Sequence, residues 1–338
     1  MVALLCVVLL PVDAGDLDAP DPLVAELKRD VGFLASDSLG GRERGREGAF
    51  ATAAFLAGQL RSLGWQPFEG AYRHEFEHRF RPKRSEEEEL RRLQNVVAVS
   101  RPLRTGDAAV VLGAHYDHVG SGLSGGTFGP KGLIHNGADD NASGTAAVLH
   151  IARSLARDPL PARSRPVVVI FFDGEEGGLL GSRHFVAEHV AARPERFAAM
   201  VNLDMVGQLH RDVVYVWGEQ TAAFAPVLTR AGRRHALRLD RRAEHIKRSD
   251  HWPFFDAGVP YLMLHTGLHP RYHRPADDAD QINYRGLTRV TRATERIVRE
   301  LADPSIDLTP RSVGRALPIV PSPPWQPADE TPQAGRAD

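Results

Sequence analysis

Five short stretches between residues 115 and 273 concentrate groups that bind cations and move protons. They are His115-Tyr116-Asp117, Asp139-Asp140-Asn141-Ala142-Ser143-Gly144, Asp173-Gly174-Glu175-Glu176-Gly177, Asn202-Leu203-Asp204 and Tyr272-His273. Two imidazoles and several carboxylates are the donor types that a pair of Zn²⁺ ions takes. Adjacent carboxylates such as Glu175 and Glu176 divide such work naturally: one ligates, and the other, left unligated, accepts a proton from bound water. A solvated acidic turn has the same composition. Here, however, the pair follows the all-apolar run Val167–Phe172, and like charges beside a buried strand end are costly without a cation. Asp117 is placed to orient His115 through its second ring N–H, and a direct ligand role is equally open. On residue type alone, Asp139 and Asp140 read either as caps of the following helix or as a carboxylate bridging two cations. Asp204 closes the apolar run that begins at Met200. His273 lies in an irregular loop, with His265 and His269 near enough to compete for its role. Ser249-Asp250-His251 precedes an aromatic loop; Asp250, His251 and Tyr272 are candidates for supporting the ligands or meeting substrate.

These groups need strand ends to hold them. Val96–Val99, Val110–Ala114, Val167–Phe172, Met200–Leu203, Val213–Trp217 and Tyr261–Leu264 are short, apolar and rich in β-branched residues, the pattern of strands buried on both faces. Helical patterns fall between several of them: Ser143 to about Arg157, Ser182 to about Ala192, Thr221–His235 and Thr288–Leu301. Upstream, Asp21-Pro22 caps an amphipathic helix through Leu34, and Phe50–Leu63 reads as an Ala-rich helix ended by Gly64. Residues 71–82 alternate weakly, as an edge strand would. Glu86–Leu93 reads as a solvated helical turn with Glu–Arg pairs at i,i+4. The alternation predicts an α/β chain with three layers, α/β/α, around a mixed, mostly parallel central sheet. In such sheets the functional groups gather at the strands' carboxyl ends.

The composition excludes several classes. Among 338 residues there are 42 basic and 43 acidic side chains, a net charge of −1, and no basic stripe, which argues against nucleic acid as a partner. Cys6 is the single cysteine, so neither an intrachain disulfide nor a thiolate metal site is available. No Gly-x-Ser-x-Gly segment has the strand–helix context of a serine hydrolase, and the Gly-rich stretch 120–137 matches neither a Walker loop nor a Rossmann turn. Residues 2–12 are nearly all apolar and lead into Val12-Asp13-Ala14. That is the pattern of a secretory leader over 1–20, lacking only a basic residue ahead of it. Residues 21–302 form the expected catalytic domain, with no stable membrane span once the leader is removed. Residues 303–338 are rich in proline and are expected to form a loosely packed tail. The reading is of an exported protein, periplasmic or extracellular. Oligomeric state is not legible.

Taken in order, the motifs resemble those of the zinc aminopeptidases of the M28 metallopeptidase family, from about Asp21 to about Leu301. The matching segments are residues 113–118, 136–144, 172–182, 202–207, 249–251 and 272–278; Ser38-Leu39-Gly40-Gly41-Arg42 and Gln94-Asn95 also look like the family's N-terminal part. The resemblance implies the zinc-aminopeptidase (phosphorylase/hydrolase-like) fold. It also implies two Zn²⁺ per chain, with His115 and Asp204 on one, Glu176 and His273 on the other, and Asp140 bridging. Co²⁺ or Mn²⁺ would suit similar ligands. By the same resemblance Glu175 is the general base, Asp117 orients His115, and the substrates are peptides with a free N-terminus. Two related activities stay as alternatives: a single-zinc glutaminyl cyclase and a carboxypeptidase of the same family.

Overall fold

The computed structural model describes residues 21–81 and 88–311. The expected leader, Glu86 and Glu87, and most of the proline-rich tail lie outside them. In chain order the elements are α1 (Pro22–Leu34), α2 (Glu47–Ser62), β1 (Gln66–Pro67), β2 (Arg73–Phe80), β3 (Glu89–Val99), β4 (Ala109–His115), α3 (Gly144–Arg157), β5 (Val167–Phe172), α4 (Leu180–Phe185), β6 (Phe197–Leu203), β7 (Val213–Trp217), α5 (Ala225–Arg234), β8 (Arg238–Arg242), α6 (His251–Asp256), β9 (Tyr261–His265) and α7 (Tyr284–Leu301). Their sheet runs β1-β3-β5-β4-β6-β9-β7-β8, with β2 also paired to β3. The inner pairs β5/β4, β4/β6 and β6/β9 are parallel, and β3/β5 and β7/β9 are antiparallel. The sheet is therefore mixed, with its parallel strands at the centre.

Side chains alternate along each inner strand and feed two cores. Val110, Leu112, Val167, Val169 and Phe171 face one side, where Leu27 and Val31 of α1, Leu56 of α2, Leu149 of α3 and Ile297 of α7 cover them. Val111, Val168, Ile170 and Phe172 face the other, against Phe185 of α4 and Phe254 of α6. Both faces are covered, which is why these strands read as unbroken apolar runs. The outer helices begin where local chemistry dictates. Asp21 accepts the Leu23 N–H at 3.0 Å ahead of Pro22, and Asn283 accepts the Gly286 N–H at 2.9 Å at the start of α7.

Three expectations are corrected. Glu89–Leu93 is strand, not helical turn: it pairs antiparallel with Phe80–Phe76 of β2, and Arg91 and Leu93 turn inward while Leu90 and Arg92 turn outward. Cross-strand pairing outweighs the local i,i+4 charge pattern. Ser182 is not a cap but lies inside α4, which the chain enters through Leu179 at φ 62°. The expected Thr221 helix starts later, at Ala225, after a 3₁₀ turn over Glu219–Thr221. Over residues 303–311 the chain stays against the body: Leu308 is buried and the Arg311 N–H donates to Thr221 O at 2.9 Å. The polar edge strand β8 had no apolar signature; it pairs only with β7 and lines the sheet's edge with Arg and Asp. Among the described residues no helix is long and apolar enough to cross a membrane.

Candidate metal centre

All four parallel strands end on one edge of the sheet. His115 is the last residue of β4, Glu175 and Glu176 follow β5 after Asp173-Gly174, Asp204 follows β6, and the loop after β9 carries His273. Asp140 arrives from a different direction, on the irregular turn that precedes α3. Asn141 fixes that turn: its Oδ1 accepts the N–H groups of Gly144 at 3.0 Å and Met205 at 3.2 Å, and its Nδ2 donates to Leu203 O at 2.9 Å. The turn into α3 is thereby tied to the end of β6, where Asp204 begins.

The five sequence-predicted ligands converge as two sets of donors. His115, Asp140 and Asp204 each place one ligand atom within 4.8 Å of the others, and so do His118, Asp140, Glu176 and His273. Asp140 belongs to both sets and gives each a different oxygen. Oδ1 lies 3.3 Å from His115 Nε2, whereas Oδ2 lies 3.0 Å from His273 Nε2. Asp204 Oδ1 is 3.6 Å from His115 Nε2, and Glu176 Oε1 is 3.2 Å from His273 Nε2. Donors around a tetrahedral Zn²⁺ at about 2.1 Å stand about 3.4 Å apart, so both sets have the spacing a cation requires. The donor set, nitrogen and oxygen without thiolate, also suits zinc.

Both predicted histidine ligands keep Nε2 for the centre by committing Nδ1 elsewhere, as metal-bound histidines do. His273 Nδ1 donates to Gly126 O, and its ring lies against Phe128, with centroids 5.6 Å apart. His115 Nδ1 donates to the main-chain O of Asp117 at 3.1 Å. The Asp117 carboxylate stands 3.6 Å from that nitrogen and does a second job: it accepts the N–H groups of Glu175 at 3.0 Å and Glu176 at 3.4 Å. One fully buried acid thus sets the turn that presents both glutamates.

Asp139 points away. Its Oδ1 accepts the Gly207 N–H at 2.6 Å and the Ser143 hydroxyl at 3.0 Å, and its Oδ2 lies 3.1 Å from His269 Nε2. This accounts for one of the competing histidines, and His265, whose Nδ1 accepts the Gly267 N–H at 2.6 Å, accounts for the other. Neither is in a donor set. Asp250 and His251 are fully buried, with His251 Nε2 donating to Ile246 O at 2.8 Å and its ring stacked on Tyr261. Burial pulls His251 down to about 4. Asp250 is pushed up to about 7 by burial, which the His115 charge partly opposes. These two therefore sit behind the site. Tyr272 is beside it, its ring 3.9 Å from that of His273, and burial among four carboxylates keeps its phenol protonated.

Glu175 belongs to neither donor set. Burial raises its proton affinity well above that of an ordinary carboxylate; His115 opposes this, and Glu176, Asp204 and Asp250 reinforce it.

Two buried residues carried no sequence-based role. His118 joins the second donor set, its Nδ1 2.8 Å from Glu176 Oε1. The signal was a second histidine three residues past a strand-end histidine. Arg42 is fully buried and donates only to main-chain carbonyls: Tyr116 O at 2.6 Å, Asn136 O at 2.6 Å, Gly137 O at 2.9 Å and Leu34 O. Nothing in a Gly-Gly-Arg loop signals this.

Comparison with known proteins agrees with the geometry. The family described as Peptidase family M28 matches residues 95–298. Aminopeptidase YwaD of Bacillus subtilis (strain 168) is 30% identical over 216 residues, covering 56% of this chain and 40% of that protein. The chain spans well under half the length of the curated relatives it matches. Among solved structures, the zinc aminopeptidase BSAP from Bacillus subtilis superposes with a TM-score of 0.65 at 18% identity, covering 83% of this chain and 95% of that one. A Porphyromonas gingivalis glutaminyl cyclase does so with a TM-score of 0.61 at 21% identity, covering 82% and 98%. Both likenesses are of fold.

Proposed function

Because the chain belongs to peptidase family M28, we propose that it is a di-zinc aminopeptidase, releasing N-terminal residues from peptides that carry a free α-amino group. The observation that supports this most is the division of Asp140, one oxygen to each donor set, beside a glutamate in neither set. His115, Asp204 and Asp140 would hold one cation, and Glu176, His273 and Asp140 would hold the other. Bound there, Zn²⁺ supplies Lewis acidity, bringing water's pKa towards ~7 and stabilising negative charge on oxygen.

The chain's own groups do the rest. Glu175, with its raised proton affinity, takes the proton of the attacking water and delivers it to the leaving amine. Asp117 fixes the spacing of the two glutamates by holding both their amides. Tyr272, protonated at the site's edge, offers a hydroxyl donor to substrate. Asp250 and His251 support the site from behind. Export follows from the apolar stretch 2–12 and belongs to the same proposal.

The test is a panel of unblocked and N-acetylated peptides incubated with the zinc-loaded protein, with products identified. Unblocked peptides should lose their first residue while acetylated ones stay intact. Shortening of acetylated peptides from the C-terminus would assign a carboxypeptidase. Cyclisation of N-terminal glutamine, with a single zinc per chain, would assign a cyclase. Silence across the panel would refute hydrolysis.

A further inference from the structure

We propose that His118 is a fourth side-chain ligand, beside Asp140, Glu176 and His273, to the second cation, so that the two metal sites differ in affinity. The inference rests on the dinuclear reading above and names a donor outside the five predicted ligands. With His118, the second cation has four protein donors, namely His118 Nδ1, Asp140 Oδ2, Glu176 Oε1 and His273 Nε2. The first has three, from His115, Asp140 and Asp204.

Two observations carry it. The first is spacing. His118 Nδ1 lies 2.8 Å from Glu176 Oε1 and 4.0 Å from Asp140 Oδ2, while His273 Nε2 lies 3.2 and 3.0 Å from the same two oxygens. These values scatter about the ~3.4 Å edge of a zinc tetrahedron. The second is confinement. The ring is fully buried, edge-on to that of His273, and wedged under Gly137, where an added Cβ would come within 2.5 Å of His118 Cγ and Cδ2. Gly137 is at φ +55°, and the His118 amide donates to Arg42 O at 3.1 Å, so the ring is held with Nδ1 toward the carboxylates. Nδ1 thus faces the other members of its donor set.

The experiment is titration of metal-free protein with Zn²⁺ by calorimetry against a competing chelator, with zinc per chain counted, for wild type, His118→Phe and His118→Asn. Phe fills the ring's volume without a donor, whereas Asn keeps an N–H able to bond Glu176 but is a poor zinc ligand. Wild type should bind two Zn²⁺ with separable affinities. Both variants should weaken the tighter site by about 10²-fold or more and leave the other unchanged. If Asn binds as wild type and only Phe is impaired, His118 merely holds Glu176 and the proposal falls. If both variants bind as wild type, it falls too. A wild-type protein that binds no zinc would overturn the dinuclear reading along with it, and the variants would not be needed to see that.

Discussion

Arg42 gives the sharpest test of how this site is built, because its contribution can be worked from the hydrogen bonds alone. The guanidinium joins three separate segments: Leu34 at the end of α1, Tyr116 just past β4, and Asn136-Gly137 on the approach to Asp140. All four acceptors are main-chain carbonyls inside the protein. Burial pulls the guanidinium down to about 10, against the pull of Asp117, Asp140, Asp277 and Glu176, so it remains cationic at neutral pH. Replacing it with methionine keeps the length of the stem and strands the carbonyls of Leu34, Tyr116 and Asn136, while Gly137 O keeps the Ala142 N–H at 3.1 Å. An unsatisfied buried acceptor costs about 1–3 kcal/mol, so even the lower figure across three acceptors predicts a loss of about 3 kcal/mol. That is a large share of the 5–15 kcal/mol typical of a folded domain.

Arg42→Lys separates charge from geometry. An ammonium keeps the positive charge, but as a compact point it cannot serve carbonyls spread around a planar fork. About half the loss, roughly 1.5 kcal/mol, should remain in that variant. The assay is denaturant unfolding of the zinc-loaded proteins, with stability taken from the midpoint at constant slope. A loss below about 1 kcal/mol for Arg42→Met would refute the carbonyl argument. A lysine variant as stable as wild type would show that charge alone matters.

Two further outcomes follow from the same structure. Glu175→Gln should lower kcat by roughly 10²–10⁴-fold with two zinc ions still bound, and Glu176→Gln should lose one ion, as metal analysis and steady-state kinetics on the same preparations would show; equal loss of metal in both variants would break the division of labour. Between α1 and α3, burial raises Glu26, but His150 at 2.9 Å and Arg153 at 3.0 Å outweigh it and bring the carboxyl to about 2, from 4.5. A depressed acid stabilises the fold above its unfolded pKa and loses that effect as pH falls through the folded one. Glu26→Gln should therefore cost about 1–2 kcal/mol at pH 7 and progressively less between pH 4.5 and 2, and denaturant titrations showing the same deficit at pH 7 and near pH 3 would contradict it.

The sequence exposed the parts whose patterns are local. Val167–Phe172 is apolar because both faces are covered, and a Glu-Glu pair three residues after it has few bland explanations. His115 and Asp204 were legible for the same reason, each closing an apolar run. His273 was not separable from His269 by context. The structure separates them through Asp139, whose carboxylate faces His269, and Gly126, whose carbonyl faces the His273 ring. Arg42 and His118 were illegible for a different reason. An arginine in a Gly-rich loop reads as exposed, and only carbonyls 74, 94 and 95 residues away make its burial tolerable. His118 leaves its strand beside His115, yet the path of the loop sends the two rings to different donor sets. Glu89–Leu93 misled through a real local signal, helical charge spacing, which its partner strand overrode.

The acids around this centre fall into two groups, and the division explains why so many carboxylates tolerate one place. Asp140, Glu176 and Asp204 face imidazoles across the spaces where cations fit. Asp117 and Asp277 face main-chain N–H groups instead, Asp117 those of Glu175 and Glu176, Asp277 those of Asp139 and Asp140 at 3.1 Å. A carboxylate that accepts two amide hydrogens fixes the backbone carrying the next carboxylate. The turns that carry Glu176 and Asp140 are thus each held by an acid outside both donor sets. Arg42 closes the arrangement from beneath, its charge opposing both groups and its fork binding the carbonyls just upstream of Asp140. The donors are in this way positioned by contacts within the chain itself, the preorganisation that the proposed metal pair would require of its protein.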